Sequence, residues 1–449
     1  MPGTAPPSGM RDFLPEDVRR REHVIGLIKR VYERYGFEPL ETPATENLET
    51  LLGKYGEEGN KLIFKILKRG EHEATGQADL ALRYDLTVPL ARVVAQYQAK
   101  LPRPFKRYQI QPVWRADRPG RGRFREFYQC DVDALGSTAP IVEAELCAAV
   151  ADVLTELGFP DFVLRLNHRG LLAEVLTVSG VPADRHGEVL VILDKLDKIG
   201  LERASAEWIA KGGVTAAALE GLRKAFEPLP SNSDSWSKLE TIAGLFKKIG
   251  PEPSSIENVR QIRLLTEGTP AHGHVIFDSS LARGLDYYTG AIMEVNVADL
   301  SGSLGGGGRY DNLVGMFSGQ QIPACGFSLG LERILVVMTE RGMFPASLAT
   351  APADVMVATF DASGAGPAMR LADRLRGAGL RVMVYPDPDK IGRQIKYADG
   401  RGIPFVAILG DDEIKAGTIT VKNLAAQTQQ TYDQAAAGPA IREALTQRG

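Results

Sequence analysis

The stretch ARGLDYYTG, Ala282 to Gly290, brings a cation (Arg283), an acid (Asp286) and two adjacent phenols (Tyr287 and Tyr288) together. A Thr-Gly turn signal and the apolar run AIMEVNV follow. Side chains of these types can hold a small molecule with charge at one end and a polar aromatic ring at the other. A second concentration lies upstream. Residues 100–125 hold Lys100, Arg103, Lys106, Arg107, Arg115, Arg118, Arg121, Arg123 and Arg125 against Asp117 alone, in a chain of formal net charge −3. Strand-like residues and a Pro-Gly turn interleave these cations. They read as arginines presented on a hairpin, where phosphate is the natural counter-ion, with a solvated charged face as the plainer alternative.

The hairpin also implies an order. Strand side chains alternate between faces, so Phe127, Gln129, Asp131 and Asp133 share one side, and Arg123 and Arg125 continue the same parity. Arginines, an aromatic ring, an amide and two carboxylates then follow one another. A nucleotide fits that gradient, with phosphates on arginine and a base stacked on Phe127, next to a polar second substrate by Gln129 and the acids. An exposed antiparallel strand with incidental charges is the competing reading. In ACGFSLGLERIL, Gly326 and Gly330 frame a strand-to-helix turn, and Arg333 near the helix start can point at the same phosphates or simply lie on the surface. The run Gly305–Gly308 allows close approach of backbone to a ligand, or a flexible turn.

Supporting elements follow from periodicity. Val18 to Tyr35 has helical spacing, and YGFEPLETPATE reads as a short strand interrupted by Pro39 and Pro43. LALRYD predicts a strand, followed by a helix capped by Thr87. Residues 105–135 predict two strands joined by RADRPGRGR, and Glu143 to Leu157 an amphipathic helix. Helical texture dominates residues 169–265, and strand texture returns at HVIFDSS. From Asp354 onward strands (VMVATF, RVMVYP, FVAIL) alternate with helices in a compact α/β pattern, after a boundary near FPASLATAPAD.

Other chemistries are disfavoured. At 449 residues two or three domains are expected. There is no G-x-x-x-x-G-K-[ST], no dinucleotide fingerprint and no Ser-His-Asp elbow. The three cysteines Cys130, Cys147 and Cys325 are dispersed, which fits a reducing cytosol and no disulfide framework. His272 and His274 form an HxH pair without a companion ligand, so no metal site is expected. No run reaches the ~20 apolar residues of a membrane span, and the N-terminal residues lack the pattern of a secretory signal; a cytoplasmic protein with no membrane partner is expected.

Taken together these segments resemble the class II aminoacyl-tRNA synthetases, and among them the histidyl family. YGFEPLETPATE is similar to the first class II motif, a dimer-interface strand. VWRADRPGRGRFREFYQCD is similar to the second and ACGFSLGLERIL to the third. RGLDYYTG and GGGGRYDNLV resemble the two more specific histidine signatures. The resemblance spans nearly the whole chain. It implies an α+β fold: an antiparallel-sheet catalytic core with a helical insertion, and a C-terminal α/β anticodon-binding domain. The core would occupy 1–168 and 266–345, the insertion 169–265, a linker 346–353 and the anticodon-binding domain 354–449.

The resemblance also implies roles. Arg115 would contact the α-phosphate of ATP and Arg333 the γ-phosphate. Arg123 would add a phosphate contact, Phe127 would stack on adenine and Asp117 would read its amino group. Asp85, Thr87 and Gln129 would hold the ammonium group of histidine. Asp133 and Tyr288 would grip its imidazole, and Tyr287 and Tyr310 would line the pocket. Asp85 and Asp133 stand where other members often carry glutamate. Arg283 and Arg115 would serve catalysis, with Arg283 also near the histidine carboxylate. In a strand Tyr287 and Tyr288 point oppositely, so the imidazole role falls mainly on Tyr288 while Tyr287 either packs or binds. The substrates implied are L-histidine, ATP with Mg²⁺ and histidine tRNA, read at acceptor stem and anticodon by a homodimer with no tightly bound cofactor. The rival is a non-catalytic histidine-sensing regulatory paralogue, which predicts loss of the anticodon domain and of the ATP arginines. A plain RNA-binding protein leaves the acids beside the tyrosines unexplained.

Overall fold

The computed structural model describes residues 3–70, 75–228, 234–247, 250–282, 287–345, 348 and 351–446. The chain divides into two compact units, Met1–Met343 and Phe344–Gly449. Residues 346–347 and 349–350 of the expected linker lie outside the described residues.

In the first unit the strands are β1 (Glu38–Pro39), β2 (Thr45–Asn47), β3 (Lys65–Leu67), β4 (Ala78–Leu82), β5 (Phe105–Trp114), β6 (Glu126–Leu135), β7 (Val163–His168), β8 (Val275–Phe277), β9 (Ala291–Asn296), β10 (Gly305–Arg309) and β11 (Ala324–Gly330). Eight of them form one sheet in the order β1-β5-β6-β11-β10-β9-β7-β8. Neighbours from β5 to β7 run antiparallel, and the outer pairs β1–β5 and β7–β8 are parallel. β2, β4 and β3 make a small antiparallel sheet beside it.

The long hairpin β5–β6 forms as its alternation predicts, with every residue from Phe105 to Trp114 paired to one from Leu135 to Glu126. The glycine run is not a turn. It is β10, bonded on both sides, and a Cβ on Gly305 or Gly307 would lie 2.3 Å or 2.1 Å from a carbonyl oxygen of β11. Only glycine permits so close an approach.

Helix Pro15–Arg34 starts with proline at its first turn and buries Val24, Leu27, Ile28, Val31 and Tyr32. Helix Ile141–Glu156, expected to be amphipathic, is instead buried over most of its circumference. It packs on the sheet and is flanked by helices Pro15–Arg34 and Ser254–Thr266. Between β7 and β8 the described residues form helices without strands, from Arg169–Val178 to Ser254–Thr266. Trp208 anchors this stretch: it is fully buried, its Nε1 donates to the Val189 carbonyl at 3.1 Å and its ring faces Phe226.

The second unit has strands β12 (Val355–Thr359), β13 (Val382–Val384), β14 (Phe405–Leu409), β15 (Thr418–Asn423) and β16 (Thr428–Asp433). Their order is β13-β12-β14-β15-β16, parallel in the first three and antiparallel in the last two. An apolar cluster lies on each face, one around Val355, Leu371 and Phe405, the other around Met356, Ala398 and Val406. The unit therefore carries its own core.

Candidate active site

The sheet of the first unit floors a cleft of about 300 Å³, within the size range of small-molecule sites. Asp85, Thr87, Arg115, Asp117, Arg123, Phe127, Gln129, Tyr287, Tyr288 and Arg333 all line it. The backbone of Gly305, Gly306 and Gly307 lines it too, since those residues add no side chain. β6 supplies Phe127 and Gln129 to the cleft in the order expected from its parity, Arg123 lines the cleft from the loop before the strand, and Arg125 also lies before the strand. Its Nε donates to the Asp117 carbonyl at 3.1 Å, and it is not among the cleft residues.

The basic end is built on aromatic rings. The Arg115 guanidinium lies 4.3 Å from the Tyr84 ring centre and 5.2 Å from that of Phe127, and its Nε donates to the Tyr84 carbonyl at 3.0 Å. Stacked and bonded on one edge, it keeps its other N–H groups for an anion. Arg123 sits 3.6 Å from Asp117, with its side chain largely exposed. Arg333 stands in the first turn of helix Leu331–Glu340 and donates to the Ser303 carbonyl. Gly122, at φ 67°, lets the 115–125 loop pass over the Arg333 stem, where a Cβ would meet Arg333 Cγ at 3.2 Å.

The basic stretch is not uniformly turned to the cleft. Arg107 is fully buried and pairs with Asp133 at 2.8 Å. Lys106 pairs with Glu145, and Arg121 with Glu340. These three are held in ion pairs, and the arginines that line the cleft are Arg115, Arg123 and Arg333.

The opposite end is acidic and aromatic. Asp85 is 1% exposed; its Oδ1 accepts from the Tyr55 hydroxyl and from the Val88 N–H, each at 3.0 Å, and its Oδ2 accepts from the Tyr287 hydroxyl at 3.4 Å. Asp85 thus does the capping work expected of Thr87, which is the first residue of helix Thr87–Tyr97. Burial holds the Asp85 carboxyl above its ordinary value, opposed by the Val88 N–H and by Arg115. The two tyrosines do not lie in a strand, because β9 begins at Ala291. Freed from alternation, both reach the cleft, with ring centres 5.0 Å apart edge to face. Tyr288 lies against β10, where a Cβ on Gly308 would come within 2.9 Å of its ring.

Asp133 and Tyr310 sit behind this wall and are not among the cleft residues. The Tyr310 hydroxyl donates to Asp133 Oδ1, and Gly326 of β11 makes room for that carboxylate. Asp133 Oδ2 meets Arg107 at ion-pair distance without a linear hydrogen bond. Asp131, on the same face, is 3.9 Å from Arg107. Burial pushes Asp131 up to about 7, held back by Arg107 and reinforced by Asp133, and the Asp133 carboxyl is raised for the same main reason. Gln129 Nε2 donates to Ser328 at 2.8 Å, while Gln129 Oε1 and Asp131 Oδ1 are buried without a partner. Of these two residues Gln129 lines the cleft, so its unmet Oε1 suits a ligand that brings an N–H donor.

Arg283, with Asp286, lies outside the described residues. Tyr55, Ser328 and Glu332 were not expected in the site, whereas Asp131 was expected beside Gln129 and Arg107 was expected among the phosphate-facing cations. Glu332 accepts from Arg21 and from the Tyr128 N–H, each at 2.8 Å, tying the strand of the second motif to the helix of the third. One signal was readable: Arg107, Gln109 and Gln111 alternate as the acids of β6 do. Among the described residues no group of three or more His, Cys, Asp or Glu is placed to hold a metal ion, and the His274 ring stacks on Phe162.

With this geometry in view, a histidyl-tRNA synthetase family model matches residues 9–334, and an anticodon binding domain model matches 354–444. The chain belongs to the histidyl-tRNA synthetase family. Curated relatives named histidine–tRNA ligase, from Porphyromonas gingivalis and Gloeobacter violaceus, are 41% and 42% identical. They align over 94% and 96% of this chain and 96% and 97% of their own lengths. A solved histidyl-tRNA synthetase from Nostoc sp. PCC 7120 superposes with a TM-score of 0.80 at 29% identity, covering 99% of this chain and all of the other. A Bacillus halodurans structure titled as an ATP phosphoribosyltransferase regulatory subunit/histidyl-tRNA synthetase shares the fold, at TM-score 0.70 and 21% identity, over 88% of this chain and 97% of its own. The synthetase fold, an α+β core joined to an anticodon-binding domain, is that of this family.

Proposed function

We propose that the cleft activates L-histidine with ATP and passes the histidyl group to the 3′ end of histidine tRNA. A carboxylate oxygen of histidine attacks the α-phosphorus, the bond to the β-phosphate breaks and pyrophosphate leaves with the electron pair. The observation that carries this reading is the single strand β6. It runs from the arginine-and-phenylalanine end of the cleft to buried acids beside paired phenols, so both substrates meet along one rigid element.

Each residue then has a role. Arg115 and Arg333 hold phosphates, Arg123 adds a third cation, Phe127 stacks on adenine and Asp117 reads its amino group. Asp85, Thr87 and Gln129 take the ammonium group, and Tyr288 reads the imidazole with Asp133 acting from behind the wall. Tyr287 and Tyr310 close the pocket, and Arg283 neutralises charge as the carboxylate attacks. Burial raises the hydroxyl pKa values of Tyr287, Tyr288 and Tyr310, so all three act as neutral hydrogen-bonding groups. No covalent nucleophile is needed; positioning and preorganised charge do the work. ATP enters as its Mg²⁺ complex. The second unit reads the anticodon, and the enzyme works as a homodimer through the region around β1, which forms one edge of the sheet. No helix among the described residues is long and apolar enough to cross a membrane; the cytoplasm, where tRNA is charged, is its site of action.

The enzyme is favoured over the regulatory paralogue because Arg115 and Arg333 both line the cleft and the 354–444 domain is present. Charging assays with labelled histidine test the proposal. Histidine tRNA should be acylated and other tRNAs should not; histidine binding without any charging would favour the regulatory reading.

A further inference from the structure

Arg309 ends β10, is not among the cleft residues and is 6% exposed. Its Nε donates to Glu143 at 2.6 Å, and its Nη1 donates to the Ser137 carbonyl at 2.9 Å and to Asp311 at 3.2 Å. Glu143 is fully buried in the first turn of helix Ile141–Glu156. A buried ion pair of this kind is weak evidence for stability, since desolvation opposes it, so its position asks for another explanation. The backbone of Arg309 supplies one. Its carbonyl accepts from the Thr289 N–H at 2.7 Å, and the Thr289 hydroxyl accepts in turn from the Asp311 N–H at 3.1 Å. Gly290 presses on the Arg309 stem, where a Cβ would lie 2.9 Å from Cδ and 3.0 Å from Cβ. From the other side the Arg169 N–H donates to the Gly290 carbonyl at 2.7 Å. Thr289 and Gly290 are therefore gripped from both flanks, immediately after Tyr287 and Tyr288.

We propose that the Glu143–Arg309 pair is a positioning device for histidine selection: by locking Thr289–Gly290 it sets where Tyr287 and Tyr288 stand in the amino-acid end of the cleft. This rests on the reading of those tyrosines as walls of the histidine pocket. The guanidinium fork joins helix Ile141–Glu156, the loop after β6 at Ser137 and the turn at Asp311, and a lysine cannot bond all three. The phosphate end shares none of these contacts, so the effect is confined to the amino acid.

Arg309→Lys and Gly290→Ala test it in the full-length enzyme by pyrophosphate exchange. Each should raise the histidine KM roughly tenfold or more, because small misplacements of binding groups are costly, and leave the ATP KM within about twofold. Val153→Ala, a buried truncation in the same helix, is the control: it should lower the melting temperature with both KM values unchanged. Gly290→Ala keeps both buried charges, so it decides the matter if Arg309→Lys does not fold. Unchanged histidine KM in the folded variants, or histidine and ATP KM rising together, overturns the proposal. Hydrogen exchange at the Thr289 amide gives a readout independent of activity. It should speed up in Arg309→Lys and not in Val153→Ala, and unchanged protection would overturn the clamp. Wild-type enzyme without histidine-dependent exchange would instead overturn the reading of the pocket.

Discussion

Replacing Asp85 with Asn separates binding from folding more cleanly than any other single change at the site. The side chains are isosteric. An Asn Oδ1 can keep the bonds from Tyr55 and the Val88 N–H, and its Nδ2 can donate to the Tyr287 hydroxyl, which turns to accept. What disappears is the charge. If Asp85 pairs with the ammonium group of histidine, losing one partner of a desolvated pair costs about 3–4 kcal/mol, or roughly 10²–10³-fold in histidine affinity. ATP affinity should not fall, because Arg115 loses a neighbouring negative charge and its field at the phosphates grows. Folding should move the other way. The folded-state pKa of Asp85 lies above its ordinary 3.8. The stability contribution of such a group is fullest below that value and is lost as pH rises through the folded pKa. At pH 7 the raised pKa of this carboxyl therefore opposes folding, and Asn removes the opposition. The apo variant should be at least as stable as wild type at pH 7, with any gain fading near pH 4. Titration calorimetry with each substrate and thermal melts at the two pH values check this. Equal loss of histidine and ATP affinity, or a large loss of stability at pH 7, would refute the assignment of Asp85.

Gly326→Ala places a Cβ 1.9 Å from Asp133 Oδ1, and the carboxylate is held by Tyr310 and Arg107. Overpacking should cost about 1–3 kcal/mol by calorimetry, with histidine affinity falling and ATP affinity kept. Asp131→Asn should flatten the pH dependence of apo stability between 3.8 and about 7, because a carboxyl raised by burial loses stability through that window. Its contribution to the slope is up to about 1.4 kcal/mol per pH unit, and an unchanged thermal-melt profile would contradict it. Deleting residues 354–449 should reduce kcat/KM for tRNA charging by roughly 10²-fold, equivalent to about 2.7 kcal/mol of lost contact, and spare pyrophosphate exchange. Sedimentation must first show that the truncated enzyme keeps its oligomeric state.

The site was legible where local pattern determines local structure. β5 and β6 announce themselves by alternation around a Pro-Gly loop, and the three parallel strands of the second unit are short apolar runs between turn signals. The hairpin β15–β16 was not foreseen, because TITVKN and TQQTYD are rich in Thr and Gln and β16 is mostly exposed. Arg107 was counted with the phosphate-facing cations. Nothing local distinguishes it from Arg115; it is the register Arg107↔Asp133 across the sheet that turns it inward. The two tyrosines were assigned opposite faces on the assumption of a strand, but the bond from Thr289 to Arg309 delays β9 until Ala291. The glycine run looked like a loop because glycine is rare in strands, and its reason is the proximity of β11, a non-local fact.

The most direct test is ATP–pyrophosphate exchange with each of the twenty amino acids and the full-length enzyme. Histidine should support exchange strongly and the others negligibly, because a site that pairs with both ring nitrogens rejects side chains that cannot do so. Exchange with another amino acid at a comparable rate, or none with histidine, would contradict the assignment of the cleft.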